Sequence, residues 1–137
     1  QVFRGFLGVK YQDEQNIHIS LTSGLGNTLI ELEWKDGEFF KHYIPEGLDK
    51  KIIVKKIRSD FEFLLLQHLA YKKTKHGRKI YSQFDDPFRL KSVCESGRFG
   101  KKKRELHFEY KSSGNLAGIE LKHYNLAASI TLIMLAQ

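Results

Sequence analysis

A single cysteine, Cys94, is all the thiol this chain has. No internal disulfide can form, and no multi-cysteine metal site can be assembled. One thiol suits a reducing compartment, and it equally suits an exported protein that does without disulfides. No apolar run reaches the roughly 18 residues that a spanning helix needs. The six histidines, at positions 18, 42, 68, 76, 107 and 123, are scattered. None makes a paired helical motif or neighbours the cysteine, so no metal and no cofactor is expected. No serine sits in a glycine-flanked elbow, since Ser23, Ser96 and Ser113 lie in ordinary turn sequences. Asp85-Asp86 runs into Pro87 and reads as a turn, not as an acid/base pair. Gly24-Leu25-Gly26 lacks the third glycine of a dinucleotide fingerprint, and a strand follows it where a helix should. The catalytic vocabulary is missing throughout, and we expect no enzyme.

What is present describes a folded domain. Hydrophobic residues make up 41% and charged residues 28% of the 137 positions. That balance is globular, and a chain of this size buries roughly 70% of its unfolded surface without staples. One domain spanning residues 1–137 is expected. The formal charge of +7 and a pI near 9.5 favour anionic partners, whether lipid headgroups, nucleic acid or acidic polymers. The chain starts at Gln1, not at a methionine, which leaves room for a leader upstream.

Alternation dominates the pattern. Ile17, Ile19 and Leu21 alternate with polar residues, and so do Ile30, Leu32 and Trp34. Two strands are predicted with one apolar face each, joined by the loop Ser23–Asn27. Leu25 stands at the middle of that loop. Two readings remain for it: an exposed tip, or a plug folded back on the core. Before this pair, Val2–Tyr11 reads as a strand with a kink or close approach near Gly5 or Gly8. After it, Asp36-Gly37 predicts a type I′ hairpin returning through 38–44. Pro45 to Lys50 leaves the sheet, and Ile52–Val54 extend briefly.

Ser59-Asp60-Phe61-Glu62 has the form of a capping box, which starts a helix at Ser59. Phe61, Leu64, Leu65, His68 and Leu69 follow its apolar period, Phe63 and Leu66 widen that face, and Lys72 and Lys73 suit its far end. Lys72–Lys79 is a basic connection. Strands are then predicted at 79–84, 88–94, 105–111, 116–123 and 129–135, with a glycine- and lysine-rich turn at 96–103. The clean strand 105–111 puts Leu106, Phe108 and Tyr110 on one side. Eight to ten strands and one helix make a mainly β, α+β protein with an antiparallel sheet and the helix on one face. Cys94 reads either as a small buried hydrophobe or as a reactive thiol.

Leu21–Leu32, with Leu25-Gly26 in its loop, resembles the LolA/LolB-like carriers and acceptors of bacterial lipoproteins. Phe88-Arg-Leu-Lys, Gly100-Lys-Lys-Lys, Leu116–Leu121 and Ser129–Leu132 are similar to that superfamily's late hairpin and closing strands. Uncharacterised LolB-like envelope lipoproteins match equally well. Gly24 stands where proline is usual, and the basic run 72–79 replaces a segment with prolines and a tryptophan. The resemblance implies a strongly curved antiparallel sheet, an incomplete β-barrel, with a helix as lid over acyl chains. Ile30, Leu32, Trp34, Phe61, Leu64, Leu65, Leu69 and Phe108 would line that cavity. Gly24, Leu25 and Gly26 would form a membrane-contacting loop. It further implies a monomer in the periplasm or on the periplasmic face of the outer membrane, anchored through a lipidated cysteine upstream of Gln1. Its partners would be an acyl chain of a lipid or lipoprotein and an anionic membrane surface. Two alternatives stand beside it: a basic nucleic-acid-binding β-domain that uses Trp34, Phe39, Phe40, Phe108 and Tyr110 as a stacking platform, and a structural lipoprotein with a self-filled core.

Overall fold

The structure, a computed structural model, describes residues 5–65, 79–86, 89–124 and 129–133. Four strands come first: β1 (Phe6–Asp13), β2 (Asn16–Thr22), β3 (Thr28–Lys35) and β4 (Glu38–Tyr43). The helix α1 (Lys51–Leu65) follows. Five more strands complete the described chain: β5 (Lys79–Asp86), β6 (Arg89–Ser96), β7 (Lys102–Tyr110), β8 (Leu116–His123) and β9 (Ser129–Ile133). Every pairing is antiparallel and between sequence neighbours. The mainly β class with one helix is therefore as expected. The single expected sheet is instead two, a four-stranded β1–β4 and a five-stranded β5–β9, because α1 and the chain after it separate the two runs of strands. The chain divides into two compact units, Gln1–Asp60 and Phe61–Gln137.

In the first unit the predicted alternation becomes register. Ile17 faces Trp34, Ile19 faces Leu32 and Leu21 faces Ile30 across β2 and β3. Such cross-strand apolar pairs are the unit of sheet stabilisation. Ile17, Ile19, Leu32, Trp34 and Ile44 are buried there. Asp36 and Gly37 take left-handed φ values of 52° and 80°, as a type I′ turn requires. The turn is held further by Gly37 N donating to Gln15 O and Asp36 N donating to Asn16 Oδ1, both at 3.1 Å. The close approach expected near Gly5 or Gly8 occurs at Gly5, where a Cβ would run into the Thr22 carbonyl oxygen.

The helix corrects the sequence reading. Ser59 is not its N-cap but lies mid-helix. Ile52, Ile53 and Val54 are helical, not extended. The true start follows a turn in which Leu48 N and Asp49 N both donate to Pro45 O, and Val54 N then donates to Lys50 O as the first helical bond. The physical reason is burial. β-Branched residues each cost a helix at most about 0.7 kcal/mol relative to alanine. Ile53, Val54 and Ile57, all half-buried, offset that cost by extending the apolar stripe that Phe61 and Leu64 complete. Asp60 and Glu62, read as capping residues, are instead buried within the helix. Ile53, Ile57, Phe61 and Leu64 in fact continue one 3.6-residue stripe from the start. Leu66, His68, Leu69 and Lys72–Lys73 lie outside the described residues.

In the second unit Val93, Leu106 and Leu121 align across β6, β7 and β8 and are fully buried. A charged pair shares their face. Arg104 donates to Glu95 Oε2 from Nε at 3.0 Å and from Nη2 at 2.8 Å, both side chains nearly inaccessible. The guanidinium also lies 4.3 Å from the centre of the Phe63 ring. Breaking a buried pair strands one charge in an apolar place. Glu95→Ala is therefore expected to cost about 3–5 kcal/mol in urea unfolding, with the double variant Glu95→Met/Arg104→Met recovering most of it.

Candidate functional site

Three five-residue turns share one frame. Ser23 N donates to Asn27 O at 2.8 Å, Gly97 N to Lys101 O at 2.7 Å, and Lys111 N to Asn115 O at 2.8 Å. The fourth residue of each is a glycine with positive φ: Gly26 at 88°, Gly100 at 73° and Gly114 at 91°. In the Leu25 and Ser113 turns, where Gly26 N and Gly114 N also donate to Ser23 O and Lys111 O at 2.9 Å, this is the geometry of a three-residue hairpin loop ending in a left-handed bulge residue; the Phe99 turn departs from it, because Phe99 is itself left-handed. A side chain other than glycine's is strained there. The third residue of each turn is thrown outward. Ser113 holds that place in one turn, Leu25 in another and Phe99 in the last.

Leu25 is 92% exposed, so it is a tip and not a plug. Ser23 fixes the tip, since its Oγ accepts from Leu25 N at 3.3 Å and from Asn27 N at 3.2 Å. Gly24 and Gly26 have open space around their Cα atoms. The three residues expected to form a membrane-contacting loop thus form one exposed, hydrogen-bonded turn.

The residues expected to line a cavity fall into the two units. Ile30, Leu32 and Trp34 share one face of β3, Ile30 half-buried and the other two buried. Phe61, Leu64 and Leu65 belong to the second unit, as does Phe108 on β7. Phe61 and Leu64 are buried, while Leu65 and Phe108 are half-buried. Leu69 lies outside the described residues. Trp34 is 1% exposed and packs against Phe39 with ring centres 5.2 Å apart. Its indole Nε1 is buried with no hydrogen-bond partner among the described residues. Such an orphaned donor costs about 1–3 kcal/mol.

The opposite face of the second sheet is polar. Glu105 accepts from Tyr124 OH at 2.8 Å and from Lys102 Nζ at 3.4 Å, and its other oxygen lies 3.2 Å from His107 Nε2. Burial alone pushes this carboxyl up. The Tyr124 hydrogen bond with the His107 and Lys102 charges outweighs that, and the group is held below its ordinary value. Cys94 pairs in register with Glu105. Burial, then the Glu105 charge, raises its thiol, so Cys94 is not an activated nucleophile. Among the described residues no cluster of His, Cys, Asp and Glu has metal-binding geometry. No described helix is long and apolar enough to cross a membrane.

Phe99 and the Glu95–Arg104 pair escaped the sequence reading, yet both left signals. Gly97-Arg98-Phe99-Gly100-Lys101 repeats the apolar-before-glycine spacing of the Leu25 loop. The alternation of 105–111, continued one step back, puts Arg104 in phase with Leu106. No family model, no curated protein and no solved structure matches this chain.

Glu105 supplies a pH test. Its folded value is depressed, so its contribution is present above the unfolded value of 4.5 and is lost as pH falls through the folded value. The melting-temperature advantage of the parent over Glu105→Gln is expected to hold at pH 6 to 7 and to shrink steadily below about pH 4.5.

Proposed function

We propose that this protein is a non-catalytic lipid- or lipoprotein-binding protein of the bacterial envelope. In this reading, which follows the LolA/LolB-like resemblance, an acyl chain is held against an apolar strand face. Leu25 carries the reading. A leucine at 92% exposure on a turn closed by its own hydrogen bonds is held out of the core and ready to enter an apolar phase. Entry of one leucine contributes about 1.5–3 kcal/mol, too little to hold a protein at a membrane alone. The tip therefore assists delivery, while a covalent anchor or basic residues supply residence. On this reading the protein works as a monomer in the periplasm or on the periplasmic face of the outer membrane.

The cargo end of the reading rests on Ile30, Leu32 and Trp34, three side chains on one apolar face of β3. Each methylene of an acyl chain buried there contributes about 0.8 kcal/mol. The unpartnered Trp34 indole N–H is a donor on that face for an ester or carboxyl oxygen. A self-filled core is the second reading, favoured by the full burial of Leu32 and Trp34. The nucleic-acid alternative loses Trp34 from its stacking platform for the same reason.

Native mass spectrometry of the protein from bacterial cells, with lipid extraction of the same sample, is the test. A bound lipid, or saturable uptake of a fluorescent acyl probe with a shift in the emission of the sole tryptophan, is the expected result. An empty protein that takes up no probe establishes the self-filled core. Leu25→Glu is expected to leave the melting temperature unchanged and to abolish transfer of cargo to vesicles; equal transfer by variant and parent removes the loop from the mechanism.

A further inference from the structure

Phe99 is 104% exposed and has a φ of 64°. A bulky side chain in the left-handed region is a genuine outlier, and such strain persists where the surroundings over-determine it. Here the surroundings are stiff. Gly97 N donates to Lys101 O at 2.7 Å, and Tyr124 N donates to Lys103 O at 2.9 Å. A Cβ at Gly97 would meet Lys103 Cε at 2.8 Å, so the lysine stem lies along the base of the turn. Just below, Arg104 is fastened to Glu95. A hydrogen-bonded hairpin end thus presents one aromatic ring that is fully exposed among the described residues.

The charge flanking Phe99 in sequence is of one sign. Arg98, Lys101, Lys102 and Lys103 surround Phe99 in sequence, and no acidic residue intervenes between Gly97 and Arg104. Lys101 and Lys102 are exposed, Lys102 reaching Glu105 at 3.4 Å with its side chain still 56% exposed. Arg104 is committed to Glu95 and takes no part. An aromatic ring amid lysines matches a bilayer interface, where rings sit at headgroup level and cations meet anionic lipid. It matches a nucleic-acid strand poorly, because such sites are grooves with successive stacking rings, and this is a convex end with one.

We propose that the Gly97–Lys101 turn is a second membrane-docking tip, inserting Phe99 into a bilayer that contains anionic lipid while Lys101 and Lys102 contact the headgroups. The inference rests on the envelope reading only in taking the anionic surface to be a membrane, and it assigns residence to this turn where Leu25 assists delivery.

The experiment is co-flotation of the full chain with vesicles of phosphatidylcholine, alone and with about 30% phosphatidylglycerol, across salt concentrations. The parent is expected to bind the anionic vesicles alone, and less as salt rises. Phe99→Asn, polar and tolerant of the left-handed region, is expected to bind at least about tenfold more weakly. Its melting temperature should be unchanged or higher. Lys101→Glu is expected to lose about 30-fold, and Phe99→Trp to bind as the parent does. Parental binding by Phe99→Asn overturns the proposal, as does binding to a single-stranded oligonucleotide with none to vesicles, or binding to neither. Acyl-probe uptake separates this outcome from that of the carrier reading. Phe99-dependent docking without probe uptake sinks the carrier and leaves the tip; uptake without such docking does the reverse.

Discussion

The most consequential interaction in the second unit is a charge held where charge is costly. Arg104 occupies a position on β7 in phase with Leu106, facing the buried side of the sheet. A guanidinium there is made tolerable in part by Glu95, its register partner on β6, which takes two of its N–H groups, and by the Phe63 ring, which covers its face. The arrangement links three elements of the unit, α1 through Phe63, β6 through Glu95, and β7 itself. It also sets what lies just beyond. The β6–β7 turn begins immediately after this pair, so the orientation of the turn is inherited from a contact with little freedom. Attraction between buried ions seldom gains more than desolvation costs; what the pair contributes here is position.

The same economy appears at the turns. One hydrogen-bonded frame with a left-handed glycine is used between β2 and β3, β6 and β7, and β7 and β8. Its outer bond and its glycine throw the third side chain outward in each, although the β6–β7 turn reaches this with Phe99 itself left-handed, and the sequence chooses what is placed there. A serine makes a solvated loop. A leucine or a phenylalanine makes a contact point. The two apolar choices differ in their flanks: Leu25 has polar neutral neighbours and Phe99 has cationic ones, which is the difference between a residue suited to entering an apolar phase and one suited to remaining at its charged border.

Sheet strands and turns were legible because their signals are local. Period-two alternation located β2, β3 and β8 to within a residue or two and β7 to within three, and Asp36-Gly37 announced its own turn type. The helix start was misplaced because two local signals competed. Ser59–Glu62 satisfies the capping pattern, while Ile52–Val54 carries β-branched chains. The outcome follows the partial burial of Ile53, Val54 and Ile57 on the stripe that Phe61 and Leu64 continue, which is a tertiary fact. The division into two sheets was equally invisible, since alternation states which face a residue takes and says nothing of which strands share a sheet. At the candidate site, the Leu25 turn could be named in advance but its exposure could not. Phe99 was hidden by its setting, a run so basic that its one aromatic residue was read as part of a solvated loop.

Both sheets are simple meanders, each strand bonded to the one before it and the one after. That connectivity has a kinetic meaning. Each strand pair closes a loop of only a few residues, so little chain entropy is spent before contacts form, and sequence-local topologies of this kind fold faster than those built on distant pairings. The strand pairs of the first meander are all closed by chain that precedes β5, so its hairpins can begin to form before the second sheet is made. What such a sheet keeps is its two outer strands, β1 and β4 in the first and β5 and β9 in the second, each with one edge not paired within its own sheet.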